Sequence, residues 1–169
     1  MTLQIRLLQA QDIPSIVAAF QALGWNKPAS QYERYLLEQN EGQRSAFVAL
    51  VDEVFAGYIT ICWSSAYPPF YAEHIPEIQD FNVLPHFRRQ GFGNRLMDEA
   101  EHQVAERSPI VGIGVGMTAD YGTAQRMYVR RGYIPDGRGL FFRGHFVQFG
   151  EQVIVDDDLA LYFTKQLHT

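Results

Sequence analysis

The chain has 169 residues, 47% hydrophobic and 20% charged, with a formal net charge of −5 and a pI near 5.5. That balance excludes intrinsic disorder as the main state and argues against a nucleic-acid partner, which calls for a basic footprint. A single cysteine, Cys62, excludes an internal disulfide, and the longest apolar runs, 59–63 and 139–142, are far shorter than the ~20 residues that span a bilayer.

In chain order, residues 4–8 read as a short strand. Asp12 is placed to cap a helix with Pro14 in its first turn and an apolar stripe of Ile13, Ile16, Val17 and Phe20, ended by Gly24. Ser30 and Glu33 have capping-box spacing, which predicts a second helix from 31 to about 40. Two β-rich runs, 46–51 and 54–63, flank Asp52-Glu53 as a hairpin. Pro68, Pro69 and Pro76 make 64–76 an aromatic loop. Residues 77–83 read as a strand ended by Pro85. The clearest helix is 91–107, with Leu96, Ala100 and Val104 at helical spacing, broken by Ser108-Pro109.

Within 110–117, Val111, Ile113, Val115 and Met117 alternate with Gly112, Gly114 and Gly116. One face of that strand therefore carries no side chains, which suits the close approach of a backbone, a helix or a ligand. Asp120 is placed to cap a helix over 123–131 that ends at Gly132. Residues 133–135 read as a short strand, 136–150 as a loop or irregular hairpin, and 159–167 as the closing strand. These elements make a mixed α/β class built on a central sheet, as a single domain over 1–169. Residues 1–10 have neither a basic nor an apolar leader region, so the expected location is cytoplasmic, without a membrane partner.

Chemistry concentrates where the 77–83 strand passes into the long helix. The first N–H groups of a helix lack internal partners, and the helix dipole adds about +0.5 charge there. Gly91 and Gly93 let an anion approach those groups, and Arg88 and Arg89 add forked positive charge that suits phosphate. A P-loop is excluded, because Asn94 and Arg95 follow Gly93. A dinucleotide fingerprint is excluded too, because Leu96 stands where a third glycine is needed.

Arg88-Arg89-Gln90-Gly91-Phe92-Gly93 resembles the Arg/Gln-x-x-Gly-x-Gly/Ala signature of the GCN5-related N-acetyltransferase (GNAT) superfamily. Ala124-Gln125-Arg126-Met127-Tyr128, continued to Gly132-Tyr133, resembles that family's Ala-x-x-x-Tyr-x-x-x-Gly-Phe/Tyr element, and the order of elements agrees over nearly the whole chain. The resemblance implies a mostly antiparallel central sheet, helices on both faces, and a splayed strand pair forming a CoA cleft. It implies acetyl transfer from acetyl-CoA to a primary amine of a small molecule or peptide, without a metal, and it leaves room for a homodimer. Arg88, Arg89, Gln90, Gly91, Phe92 and Gly93 would then hold the CoA pyrophosphate. Phe81, Asn82 and Val83 would hold pantetheine and aim an N–H at the thioester carbonyl, a type of donor worth roughly 10²–10³ in rate.

Tyr128 is implied as the acid for the departing thiolate, since a phenol near ~10 can protonate a thiol near ~8.5. Its alternative is a core aromatic. An amine of pKa ~10.4 is neutral in only about one molecule in a few thousand at pH 7, so a base or a water relay is needed. Glu77 is the leading base, against a solvated strand end or a seat for a cationic acceptor; His74 and Asp80 stand behind it. Tyr121 occupies the position where the family often has a pantetheine-binding Asn. Trp25 and the aromatics of 67–71 either line the acceptor pocket or pack. Two other readings remain: a non-catalytic acyl-CoA-binding regulatory module, and an acyltransferase for another acyl chain.

Overall fold

The computed structural model describes residues 1–168. It runs β1 (Leu3–Leu7), α1 (Ile13–Ala22), α2 (Ala29–Asn40), β2 (Arg44–Val51), β3 (Val54–Cys62), α3 (Pro68–Ala72) and β4 (Glu77–Val83). There follow α4 (Phe92–Ala105), β5 (Ile110–Gly116), α5 (Gly122–Arg130), β6 (Ile134–Phe142), β7 (His145–Phe146) and β8 (Leu159–Gln166). The strands form one sheet in the order β1-β2-β3-β4-β5-β8-β6-β7, in which only β4 and β5 are parallel neighbours.

The sheet is covered on both faces because its inner strands alternate apolar residues in both directions. β2 sends Phe47 and Ala49 into a core shared with Leu96, Met97, Ala100 and Val104 of α4 and with Tyr128 of α5. Its Ala46 and Val48 face the other way, against Ile13, Ile16 and Phe20 of α1 and Tyr32 and Tyr35 of α2. Leu96, Ala100 and Val104 are completely buried, and a fully buried Leu or Val contributes about 1.5–3 kcal/mol. The β2–β3 turn is as tight as its sequence requires: Asp52 and Glu53 both take positive φ, 48° and 67°, which matches the right-handed twist of the paired strands.

Four local expectations are corrected. The Ser30–Glu33 capping box does not form: α2 starts at Ala29, behind Pro28 in extended backbone, and Ser30 lies inside the first turn. Segment 64–76 is not all loop, because Pro68 and Pro69 occupy the first two positions of α3, where a missing N–H breaks no helical bond. The short strand after Gly132 extends to Phe142, with an irregularity between Pro135 and Leu140 where it pairs with β8. Asp120 is also not a cap; Tyr121 precedes α5 and no side chain caps it.

The bare face of β5 is explained by aromatic rings. A Cβ on Gly112 would collide with Phe70, one on Gly114 would come within 2.8 Å of Tyr162, and one on Gly116 would collide with Tyr121. Phe70, on the buried side of α3, is packed with Tyr67, Ile75 and Tyr162 and has no room to retreat. Gly112→Ala is therefore expected to destabilise the protein by about 1–3 kcal/mol through overpacking. Gly122→Ala, at a helical position with nothing within 4 Å, is expected to be neutral or stabilising by a few tenths of a kcal/mol. Urea midpoints of the two variants check this.

Candidate active site

β4 and β5 pair only at Glu77–Gly112 and Ile78–Ile113. Beyond these pairs the strands part, while β5 stays paired with β8 along its whole length. The parting coincides with a bulge: the β3–β4 register shifts between Tyr58–Asn82 and Thr60–Gln79, and Asp80 takes φ 49°. The result is a cleft of about 420 Å³ whose walls include Glu77, Phe81, Asn82, Tyr121, Tyr128 and Tyr162.

The bulge is held by the Asp80 carboxylate. Its Oδ2 accepts from Gln31 Nε2 at 2.7 Å, Tyr35 Oη at 2.8 Å and Tyr58 Oη at 2.7 Å. Its Oδ1 accepts from Lys27 Nζ and Asn82 Nδ2, both at 3.2 Å. A polar side chain so fully partnered can fix a backbone conformation that a non-glycine residue rarely adopts. Burial and the neighbouring Asp80 charge push the Tyr35 and Tyr58 phenols well above their ordinary value, so both remain donors.

Glu77 is 6% exposed and lies at the closed end of the cleft. Ser65 Oγ and Gln79 Nε2 both donate to Glu77 Oε2, the latter at 2.9 Å. Burial pushes its carboxyl above the usual carboxylate range, opposed by those two bonds and by the charge of Arg44. Tyr128 is also buried, which raises its phenol, with Tyr121 adding to the shift. No hydrogen bond to the Tyr128 hydroxyl is found among the described residues. No buried side-chain polar atom there lacks a partner, so this hydroxyl opens into the cleft.

At the outer end of β4, the turn into α4 leaves a run of backbone N–H groups without partners among the described residues. Arg89 and Gly91 both take positive φ, 60° and 86°. The backbone N–H groups from Arg89 to Asn94 donate to no group among the described residues. A run of free N–H groups at a helix start fits a phosphate chain, and the donor set suits the pyrophosphate that the sequence resemblance implies. Gly93 packs close to Phe81 and Met127, 3.3 and 3.4 Å from where a Cβ would sit. The Arg88 guanidinium turns back to donate to Val83 O at 2.9 Å and lies 6.0 Å from the Trp25 ring. It therefore ties the turn to the strand end, and the N–H groups of Arg89, Gln90, Gly91, Phe92 and Gly93 are left as the turn's unpartnered donors among the described residues.

The structure thus brings Glu77, Phe81, Asn82 and Tyr128 to one cleft, with the Arg88–Gly93 turn beyond the end of its β4 wall. It does not bring His74 there; that residue is exposed behind α3. Tyr67 and Phe70 pack rather than line the cleft: Tyr67 stacks on Tyr162 at 3.6 Å and is 2% exposed. Tyr121 does not act as a side-chain amide would. Its ring covers Gly116, its hydroxyl donates to Asp157 Oδ1 at 2.7 Å, and burial and Asp157 raise the phenol to about 12. Sequence reasoning missed Lys27, Asp157 and Tyr162 as cleft residues. It also left unplaced the groove between α4 and α5 lined by Asn94, Thr123, Arg126 and Arg130, whose arginine spacing was its only signal. Among the described residues no cluster of His, Cys, Asp and Glu is placed to hold a metal ion, and no helix is long and apolar enough to cross a membrane.

Parted parallel strands, a bulge and an open helix N-terminus beside them are the architecture of an acetyltransferase. The chain belongs to the Acetyltransferase (GNAT) family, whose profile matches residues 12–133, and members of that family are acyltransferases. Its fold is similar to that of Ard1 from Thermoplasma volcanium, at 20% identity and a TM-score of 0.72, with 100% of each chain covered. It is also similar to the ribosomal-protein-alanine N-acetyltransferase from Brucella melitensis, at 18% identity and a TM-score of 0.71, covering 97% of this chain and 99% of that one. A third likeness is to yncA from Salmonella typhimurium, solved with its cofactor acetyl-CoA, at 15% identity and a TM-score of 0.69, covering 99% and 95%. Among curated proteins none matches the chain in sequence.

Proposed function

We propose that the protein moves an acetyl group from acetyl-CoA to a primary amine of a small molecule or peptide, by direct attack of the amine with both substrates bound. The observation that carries this reading is that a buried carboxylate, Glu77, and an unpartnered phenol, Tyr128, open into one cleft beside the free N–H groups of the α4 turn. The turn, from Arg89 to Gly93, would hold the pyrophosphate. The exposed guanidinia of Arg126 and Arg130 line the adjoining groove and would add positive charge near it.

The end of β4 at and after the bulge, Phe81, Asn82 and Val83, would orient the pantetheine arm and aim an N–H at the thioester carbonyl. Fixed donors aimed at a developing oxyanion stabilise it without reorganisation. Glu77, whose basicity is raised by burial, would take the proton that the attacking amine must lose. Tyr128, kept protonated by its own burial, would give a proton to the thiolate of CoA. Acidic groups around the cleft, Glu77, Asp80 and Asp157, favour a cationic acceptor.

Calorimetry with coenzyme A, followed by a thiol-release screen over amines and peptide N-termini with acetyl-CoA, tests the proposal. Binding together with amine-dependent thiol release is expected. Binding without release on any acceptor would favour a regulatory module, and no binding at all would remove the reading. Gly91→Ala, which strains a φ of 86°, is expected to weaken CoA binding about tenfold or more, as loss of one hydrogen bond to a charged group (~1.5–3 kcal/mol) would. An unchanged Kd would show that the turn is not the phosphate seat.

A further inference from the structure

The chain contains two lysines, Lys27 and Lys165. Their side chains are almost equally exposed, 23% and 22%, and each is paired with one carboxylate: Lys27 with Asp80 at 3.2 Å, and Lys165 with Glu101 at 2.8 Å. They differ in place. Lys165 lies on β8, with its ammonium 5.6 Å from the Tyr133 ring. Lys27, in the connection between α1 and α2, lies in the wall of the cleft with Glu77, Phe81, Asn82 and Tyr128.

The seat of the Lys27 ammonium is built for a primary amine. Besides Asp80 Oδ1, its Nζ donates to Tyr58 Oη at 3.3 Å and stands 5.9 and 6.0 Å from the ring centroids of Phe20 and Tyr58. A carboxylate, a hydroxyl and two aromatic rings are the groups that recognise an alkylammonium ion. Asp80 belongs to the bulge and immediately precedes Phe81. The seat is therefore next to the backbone assigned above to the thioester, and the chain's own lysine fills it.

We infer that Lys27 is an intramolecular acceptor, so that the protein acetylates its own Lys27 when no external amine occupies the cleft. The inference rests on the acetyl-transfer reading above. In the reaction the ammonium of Lys27 gives a proton to Asp80, from which it passes to solvent. The freed Nζ electron pair forms the new N–C bond and the acylated nitrogen loses its second proton to solvent, while the C–S bond breaks with its pair on sulfur, and the thiolate takes a proton from the Tyr128 hydroxyl, which solvent restores. Acetyl-CoA and the ammonium become Nζ-acetyl-lysine, free CoA and one proton. The acetylated Lys27 carries no charge for Asp80, and the added group stands in the acceptor's path.

The test incubates the full chain with acetyl-CoA and no amine, and maps acetyl groups by peptide mass spectrometry. Thiol release with an amine panel and calorimetry with CoA are followed on the same preparation. Lys27 is expected to be labelled at least about tenfold faster than Lys165, a low threshold when well-placed reactants reach effective molarities of ~10⁵ M or more. Labelling should be first order and independent of protein concentration, and an external acceptor should slow it. Lys27→Arg, which keeps the charge at Asp80, should bind CoA normally and gain no acetyl group at that position.

Equal labelling of Lys27, Lys165 and the N-terminal amine would mean chemical acetylation and would overturn the inference. A protein that binds CoA and acetylates external amines while Lys27 stays unlabelled would overturn it and leave the acetyl-transfer reading standing. Failure to bind CoA would remove both.

Discussion

Replacing Tyr128 by phenylalanine is expected to lower kcat by about 10²-fold or more, the usual worth of a positioned general acid, while the Kd for CoA stays within a factor of about two. The fold should tolerate the change. The Tyr128 ring packs against Tyr133 at 5.8 Å and among the aliphatic residues of α4 and β5, and phenylalanine keeps all of that surface. The hydroxyl it removes bonds to no protein group, so no buried partner is orphaned. Steady-state kinetics at saturating acetyl-CoA, with calorimetry and an unfolding curve, separate the outcomes. Unchanged turnover would show that the thiolate takes its proton from elsewhere, and parallel loss of kcat and CoA affinity would show a positioning role instead.

Glu77→Gln is the second substitution with a large expected effect, a loss of roughly 10²–10⁴ in kcat/KM for the amine. Its sign in pH follows from burial. The carboxylate form acts as base, so the rate rises as pH climbs through the Glu77 pKa and falls as pH drops below it. Burial raises that pKa, so the acidic limb of the profile lies at higher pH than a solvated glutamate would give. In Glu77→Gln the limb should vanish; a profile that keeps it would assign the base elsewhere. Stability runs the other way. A carboxyl whose folded pKa exceeds its unfolded one contributes most below the unfolded pKa and loses that contribution as pH rises through the folded pKa. The glutamine variant should therefore be at least as stable as the parent at neutral pH, so lost activity there would not reflect lost fold.

These two residues also show how far the chain's own residue order reaches. Tyr128 was readable because α5 is short and amphipathic and ends at a glycine with φ 91°, so its residues declare their positions locally. Glu77 was readable as the start of β4. Its partner Ser65 was not, because that contact spans 12 residues across a segment whose two prolines start α3 instead of preventing it. The glycine face of β5 announced a close approach without saying to what. The answer, the rings of Phe70, Tyr162 and Tyr121, comes from three separate parts of the chain.

Arg88 illustrates a subtler difference. Its charge and place suggested a phosphate ligand, yet its guanidinium folds back onto Val83 O, only five residues away. The donors left unpartnered at the turn, among the described residues, are backbone N–H groups. Their availability depends on Arg89 and Gly91 adopting positive φ, not on the charges beside them.

What the amino-acid order decided alone is whatever nearest neighbours along the chain can enforce. The tight β2–β3 turn, the apolar stripe of α4, the open turn before that helix and the glycine stop after α5 are all of this kind, set by dihedral preference and by side-chain spacing over a few residues. What the tertiary structure decided is the parting of β4 from β5, the carboxylate of Asp80 gathering donors from α2, β3 and β4, and the presence of Lys27 in the cleft 53 residues before its partner. Such contacts form only once loop closure has brought distant segments together, and their geometry follows from packing and hydrogen-bond satisfaction across the whole sheet.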